Sequence, residues 1–224
     1  MSRKGSRSSR SLAKAVSRSA RQRGQAVLSR PAFGTRLSDR PAQSPFDAPE
    51  RWHEPRGRTM PRIIVEPPGR EYFHPITPSE VRARILELPE RFHGFVDVIQ
   101  FSRMTRKRRL FPLYGLQWGT AVYLYPIEES LVETFVQPPR PQQAIETRMY
   151  GGRWAEEDGC WRLYWTRETI RDFYLNNILI HEIGHALDVR NRRPQDRERF
   201  ANWFAVEYGY RRSERPSPEP VPPS

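Results

Sequence analysis

Large apolar residues are sparse before residue 60, and that asymmetry confines a packed core to the rest of the chain. Positions 1–58 hold fourteen Lys/Arg against four Asp/Glu, a local balance of +10 within an overall +12. The other 166 residues hold 24 against 22 and are nearly neutral. A segment of Arg, Ser, Ala, Gly and Pro cannot bury enough surface to offset its ordering entropy. Residues 1–60 are therefore expected to form a disordered basic leader, with only weak helical spacing at Leu12, Ala15, Val16, Ala20 and Val27. Three roles suit such a leader. It can be a solvated tail, an electrostatic contact for nucleic acid or another polyanion such as anionic lipid, or an organelle transit peptide, being free of acid until Asp39. Ser213–Ser224, with Pro216, Pro218, Pro220, Pro222 and Pro223, reads as a second disordered tail.

Several classes are excluded. No apolar run approaches the roughly 18–20 residues of a membrane span. Residues 1–30 lack the apolar stretch of about 7–15 residues that a secretory signal needs. A single cysteine, Cys160, rules out an internal disulfide framework and a multi-cysteine zinc site. The expectation is a cytoplasmic protein, or an organelle-targeted one if the leader is a transit peptide, with one folded domain over 61–212.

Within that domain Arg62–Glu66 reads as a strand closed by Pro67, Pro68 and Gly69. Thr77, Pro78 and Glu80 spell a capped helix start, with the helix running to about Leu88. Phe95–Phe101 and Gly119–Tyr125 are β-branched and aromatic runs suited to strands. The basic run Arg103–Arg109 between them reads as a solvated loop or edge, with a nucleic-acid patch as the second reading. Thr147–Trp154 and Cys160–Trp165 flank Glu156–Gly159 as a hairpin. The period then becomes helical from Glu168 to about Val189, with Thr166 as cap, and again from about Pro194 to Arg211. Strands followed by two helices make an α+β fold in which a small antiparallel or mixed sheet packs on the C-terminal helix pair.

The first of those helices carries His181-Glu182-Ile183-Gly184-His185. Histidines at i and i+4 project from one face about a turn apart, within reach of one tetrahedral ion. Glu182 points beside the pair, where it can meet a metal-activated water without ligating the metal. This is the H-E-x-x-H arrangement of metallopeptidases. Polar groups inside the apolar stretch 175–189 also need a reason, because burying His and Glu unpaired is costly.

An open tetrahedral site requires a third protein ligand. His53, His74 and His93 all lie upstream, and the position six beyond His185 is Asn191, so a third histidine in the metzincin pattern fails. Downstream carboxylates are Asp188, Asp196, Glu198 and Glu207. Asp188 shares the histidine face one turn on and suits a partner for an imidazole N–H. Glu198 opens the next helix, and an antiparallel return would bring it against the motif, with small Ala201 and Ala205 allowing close approach. Glu198 is the expected third ligand, with Glu207 its main rival.

The stretch HEIGHALD over His181–Asp188, followed by Glu198-Arg199-Phe200-Ala201-Asn202-Trp203-Phe204-Ala205, resembles the gluzincin class of zinc metallopeptidases. It is most similar to the branch with anthrax lethal factor and the Pro-Pro endopeptidases, where such a helix precedes one of the form E-x-F-A-x-x-F-A. It is also similar to phage-repressor-cleaving peptidases with a downstream E-x-x-A-N helix. The resemblance, over about residues 170–210, implies a zincin-like helix pair, Zn2+ held by His181, His185 and Glu198, and Glu182 as general base. That branch carries a tyrosine shortly before the ligand Glu; residues 189–197 here contain neither Tyr nor His. By chemistry Tyr208, Tyr210 and Arg211 are replacements for its oxyanion role. The Thr147–Trp165 hairpin is the expected edge for an extended peptide.

The leading expectation is thus a zinc-dependent metallopeptidase acting on a protein or peptide, with metal-activated water as nucleophile. The alternative is a non-catalytic protein that contains zinc or associates with nucleic acid through its basic leader.

Overall fold

The computed structural model describes residues 48–212 apart from 58 and 111. The expected disorder of residues 1–47 and 213–224 lies outside the described residues. Strands β1 (Arg62–Val65), β3 (Val98–Phe101) and β5 (Ala121–Leu124) lie parallel, and β4 (Gly115–Trp118) runs antiparallel to β5, in the order β1-β3-β5-β4. Short β2 (Tyr72–Phe73) and β6 (Ile127–Glu128) form a two-stranded ladder. Strands β7 (Val132–Phe135), β8 (Arg153–Glu157) and β9 (Cys160–Tyr164) form an antiparallel sheet in the order β7-β9-β8. With the helices described below, the protein is a mixed α+β fold.

Helix α1 (Pro78–Leu86) starts as its sequence predicts: the Glu80 amide donates to Thr77 Oγ1 at 3.3 Å and the Thr77 amide to Glu80 Oε2 at 2.7 Å. Between β3 and β4, Arg106–Leu110 is a short helix, α2, where a loop or edge was expected. Burial of Arg108 explains it. Its guanidinium pairs with Glu50 at 3.0 Å and lies 4.5 Å over the Tyr125 ring. Pro141–Met149 is a helix, α3, so the expected strand from Thr147 begins only at Arg153. Pro141 at its first turn supplies the start.

Alternation divides the four-stranded sheet. Ile99, Phe101, Val122 and Leu124 join the main core, whereas Val98, Leu116, Ala121, Tyr123 and Tyr125 form a second cluster. Residues 48–57 run along that second cluster. Tyr123 donates to Arg51 O at 2.6 Å, Tyr125 to Glu50 Oε2 at 3.0 Å, and the Arg56 amide to Asp97 at 2.9 Å. The folded body therefore begins about a dozen residues before the expected boundary at 60, because buried tyrosine hydroxyls need acceptors and this segment provides them.

The C-terminal rods fill the other face. Helix α4 (Arg167–Phe173), capped by Thr166, continues through a π-helical turn (Tyr174–Ile178) into α5 (Leu179–Leu187). Helix α6 (Pro194–Phe204) likewise continues as a π turn, Ala205–Tyr210. The two π turns cross: a Cβ on Gly209 would stand 1.8 Å from Asn176 O, which also accepts from Tyr150 OH at 3.1 Å. A π turn frees backbone groups from the regular ladder, and here packing and a tyrosine occupy that space. Gly209→Ala is expected to destabilise the protein by about 3 kcal/mol, at the upper end for overpacking, read from urea unfolding. An unchanged midpoint would show that the crossing is slack.

Candidate metal centre

Helices α5 and α6 are antiparallel neighbours at close range: a Cβ on Gly184 would sit 3.1 Å from Ala201 Cα and 3.2 Å from Phe204 Cβ. That proximity sets Glu198, in the first turns of α6, against the histidine face of α5. His181 Nε2 lies 3.6 Å from Glu198 Oε2 and His185 Nε2 3.3 Å from Glu198 Oε1. The three donor atoms all fall within 4.8 Å of one another. His181, His185 and Glu198 are thus brought together as the antiparallel return predicts.

Two readings of this cluster differ in distance. A direct N–H···O bond would close to about 2.7–3.2 Å. Donors about 2.0–2.1 Å from a shared tetrahedral ion stand roughly 3.3–3.4 Å apart. Both observed separations are longer than a direct bond and run to the two different oxygens of Glu198, while one donor atom from each residue lies within 4.8 Å of the others. His181 Nε2 and Glu198 Oε2 are moreover buried without a hydrogen-bond partner. Two buried atoms without partners, in a set of two imidazole nitrogens and one carboxylate oxygen, could hold a divalent transition-metal cation.

The electrostatics agree. Burial, then the neighbouring His185, lowers the His181 pKa to about 4; burial, then the Arg197 charge, lowers His185 to about 4. Both rings are neutral at pH 7, the form that offers a lone pair. Asn202, one turn after Glu198, hydrogen-bonds the His181 ring. Burial also raises the Glu198 carboxyl.

Glu182 stands outside the triad, 3% exposed, against β4. A Cβ on Gly115 would fall 2.7 Å from Glu182 Oε1, and the Gln117 amide donates to the carboxylate. Burial first, then the charge of Glu198, pushes its pKa well above the usual carboxylate value. In chelator-treated protein this has a signed consequence. The folded state keeps Glu182 protonated above pH 4.5 while the unfolded chain does not, so this carboxyl subtracts stability as pH rises. The depressed histidines act oppositely: their contribution is complete above pH 6.5 and is lost as pH falls toward about 4. Metal-free Glu182→Gln is therefore expected to gain stability over wild type progressively above pH 4.5. A difference constant from pH 4 to 8 in urea titrations would contradict the assignment.

Other expectations shift. Glu207 pairs with Arg211 at 2.8 Å on the π turn and does not join the histidines. Asp196, half-buried in the first turn of α6, is likewise outside the triad and faces Arg199 at 3.7 Å. Asp188 is buried; its carboxylate accepts from the Asn191 amide at 3.1 Å and from Nδ2 at 3.0 Å, closing the turn, and its charge acts on His185. The Tyr208 ring packs on Phe92 and Phe204, and the Tyr210 ring on Tyr150. The strand packed beside the motif helix is β4, the sheet edge, not the Thr147–Trp165 hairpin.

Two residues were not singled out from sequence. Arg197 donates to His185 O at 3.1 Å, Asp188 O at 3.3 Å and Gln117 Oε1 at 3.4 Å, tying α5, α6 and β4 together. Glu146, on α3, is a half-buried carboxyl raised by burial and by the charge of Glu198. Asn202, one turn beyond Glu198, entered the sequence reading only through the E-x-x-A-N resemblance. No family model, curated protein or solved structure matches the chain.

Proposed function

We propose that the chain is a zinc-dependent metallopeptidase of gluzincin type, built on a zincin-like helix pair, with His181, His185 and Glu198 as ligands and Glu182 as general base. The observation carrying this reading is the pair of buried, partnerless donors, His181 Nε2 and Glu198 Oε2, set 3.6 Å apart beside a separate buried carboxyl. Structural zinc sites are usually closed by four protein ligands and rich in cysteine, whereas this set offers three N/O donors.

Bound zinc would polarise a substrate carbonyl and lower the pKa of attacking water toward about 7. Glu182 would take the proton of that water and return it to the leaving amine. The Gln117 amide holds the carboxylate at β4 in the meantime. Because β4 is a sheet edge, its main chain offers an extended peptide a place to align next to the base. Arg197 fixes the relative position of β4 and both helices.

The test is metal analysis of the purified protein together with cleavage of a mixed peptide library. One zinc per chain and cleavage that stops with 1,10-phenanthroline and returns with zinc are expected. Zinc bound with no cleavage of peptides or unfolded proteins would favour the non-catalytic alternative, and no metal uptake would reject the site.

A further inference from the structure

We propose that Trp52 and Trp118 form an aromatic corner that selects a large apolar side chain in the peptide lying along β4, a preference that rests on the peptidase reading and its choice of β4 as substrate edge.

The Tyr125 amide donates to Tyr114 O at 2.9 Å, and β4 pairs antiparallel to β5 with Leu116 opposite Tyr123 and Trp118 opposite Ala121. Hydrogen-bonded pairs alternate along such a ladder. The main chain of Leu116 and Trp118 therefore turns to β5, and that of Gly115 and Gln117 to the open edge. The bond from the Gln117 amide to Glu182 agrees with this. Among the described residues no strand pairs with that edge. A peptide laid there meets the main chain of Gly115 and Gln117 beside the base.

Side chains alternate as well. Gly115 faces Glu182, whereas Leu116 and Trp118 join the second apolar cluster on the other face of the sheet. Peptide residues opposite Leu116 and Trp118 point to that second face. There Trp52 stands against Trp118, with ring centres 5.4 Å apart and planes at 73°, so the two indoles make two walls of a corner. Trp52 is 66% exposed and Trp118 is half-buried, which leaves both walls open to a ligand. Leu86 and Trp203 are exposed too; Trp52 differs in touching the last residue of β4.

The corner is held from both sides of Trp52. Arg51 O accepts from Tyr123 OH at 2.6 Å, while His53 Nε2 hydrogen-bonds Gln100 Oε1 at 2.7 Å and its ring stacks on Tyr123. A preorganised aromatic surface binds an apolar group at little ordering cost. Glu182 meets β4 at Gly115 and Gln117, so a residue opposite Trp118 stands about one to three positions from the cleaved bond. The substrates are thus peptides with an aromatic or long aliphatic residue at that place.

The test uses the zinc-loaded full chain and a randomised peptide library, with cleavage sites read by mass spectrometry. Wild type should favour an aromatic or long aliphatic residue over serine by about 10–100-fold at one position near the cut, the discrimination expected of an apolar subsite. Trp52→Ala should reduce that ratio about tenfold, and Trp118→Leu, which removes the other wall but stays apolar, should do the same. Trp52→Phe should keep most of the ratio, and Trp203→Ala should keep all of it. Melting curves verify folding. A second arm does not depend on hydrolysis: immobilised, zinc-loaded Glu182→Gln captures peptides from the same library, and these should show the same apolar enrichment, lost when Trp52→Ala is added. Cleavage without the preference, or with one that survives Trp52→Ala and Trp118→Leu, overturns the corner and leaves the peptidase reading standing. Trp52-dependent enrichment with no cleavage by wild type keeps the corner and rejects the peptidase. Neither cleavage nor enrichment rejects both.

Discussion

Glu182→Gln is expected to keep its zinc and its fold while peptide hydrolysis falls by about 10³–10⁴-fold, the upper range for a positioned general base. The side chain lies outside the triad of donors, so coordination survives its change. Glutamine preserves an acceptor for the Gln117 amide and nearly the same volume against Gly115. What it removes is the basic oxygen. A companion change separates chemistry from packing: Gly115→Ala would place a methyl within 2.8 Å of Glu182 Cγ and Ile178 Cγ2, displacing the base without altering its identity. It should lower kcat with metal content unchanged. Full activity in Glu182→Gln would move the base elsewhere, and loss of zinc along with activity would make Glu182 a structural group.

How much of this could be read from the residues depends on where the information resides. His181, Glu182 and His185 lie within one helical turn and a bit, so spacing alone fixes which groups share a face. Glu198 needed one further step, a close antiparallel return, and that was legible in small Ala201, whose Cα would stand 3.1 Å from a Cβ on Gly184. Strand β4 was not legible for a physical reason: only glycine at 115 leaves room for the Glu182 carboxylate, and glycine erases the strand signal. The roles of Arg197 and Asn202 were hidden because both act across elements, on carbonyls and a ring contributed by α5. Residues 48–57 look unfoldable by hydrophobicity. They are ordered by polar capture, through Tyr123, Tyr125 and Arg108, which lie 60–75 residues away and carry no local mark of it. Arg108 itself shows the limit of a charge run as a guide, since one member of it is core. Phe204 and Tyr208 pack inward while neighbouring Trp203 is 52% exposed.

Glu198→Ala is expected to weaken zinc binding more than about a hundredfold, beyond the 10–100-fold typical of losing a supporting hydrogen bond such as that of Asn202. Stability reports it. At zinc a thousand times the dissociation constant, binding adds about 4.1 kcal/mol; after a hundredfold loss the same concentration adds only about 1.4 kcal/mol. The zinc-induced rise in melting temperature should therefore shrink in Glu198→Ala and stay whole in Glu207→Ala, whose carboxylate pairs with Arg211. Chelator-treated protein supplies the discriminating arm. Glu198 is 8% exposed, and its Oε2 has no hydrogen-bond partner, so in the absence of metal its carboxylate is a buried cost. Removing it should leave the metal-free protein as stable as wild type at pH 7, or more so. If Glu198→Ala instead lowers metal-free stability while the zinc-dependent increment is unchanged, the residue is holding the two helices together and another oxygen completes the centre.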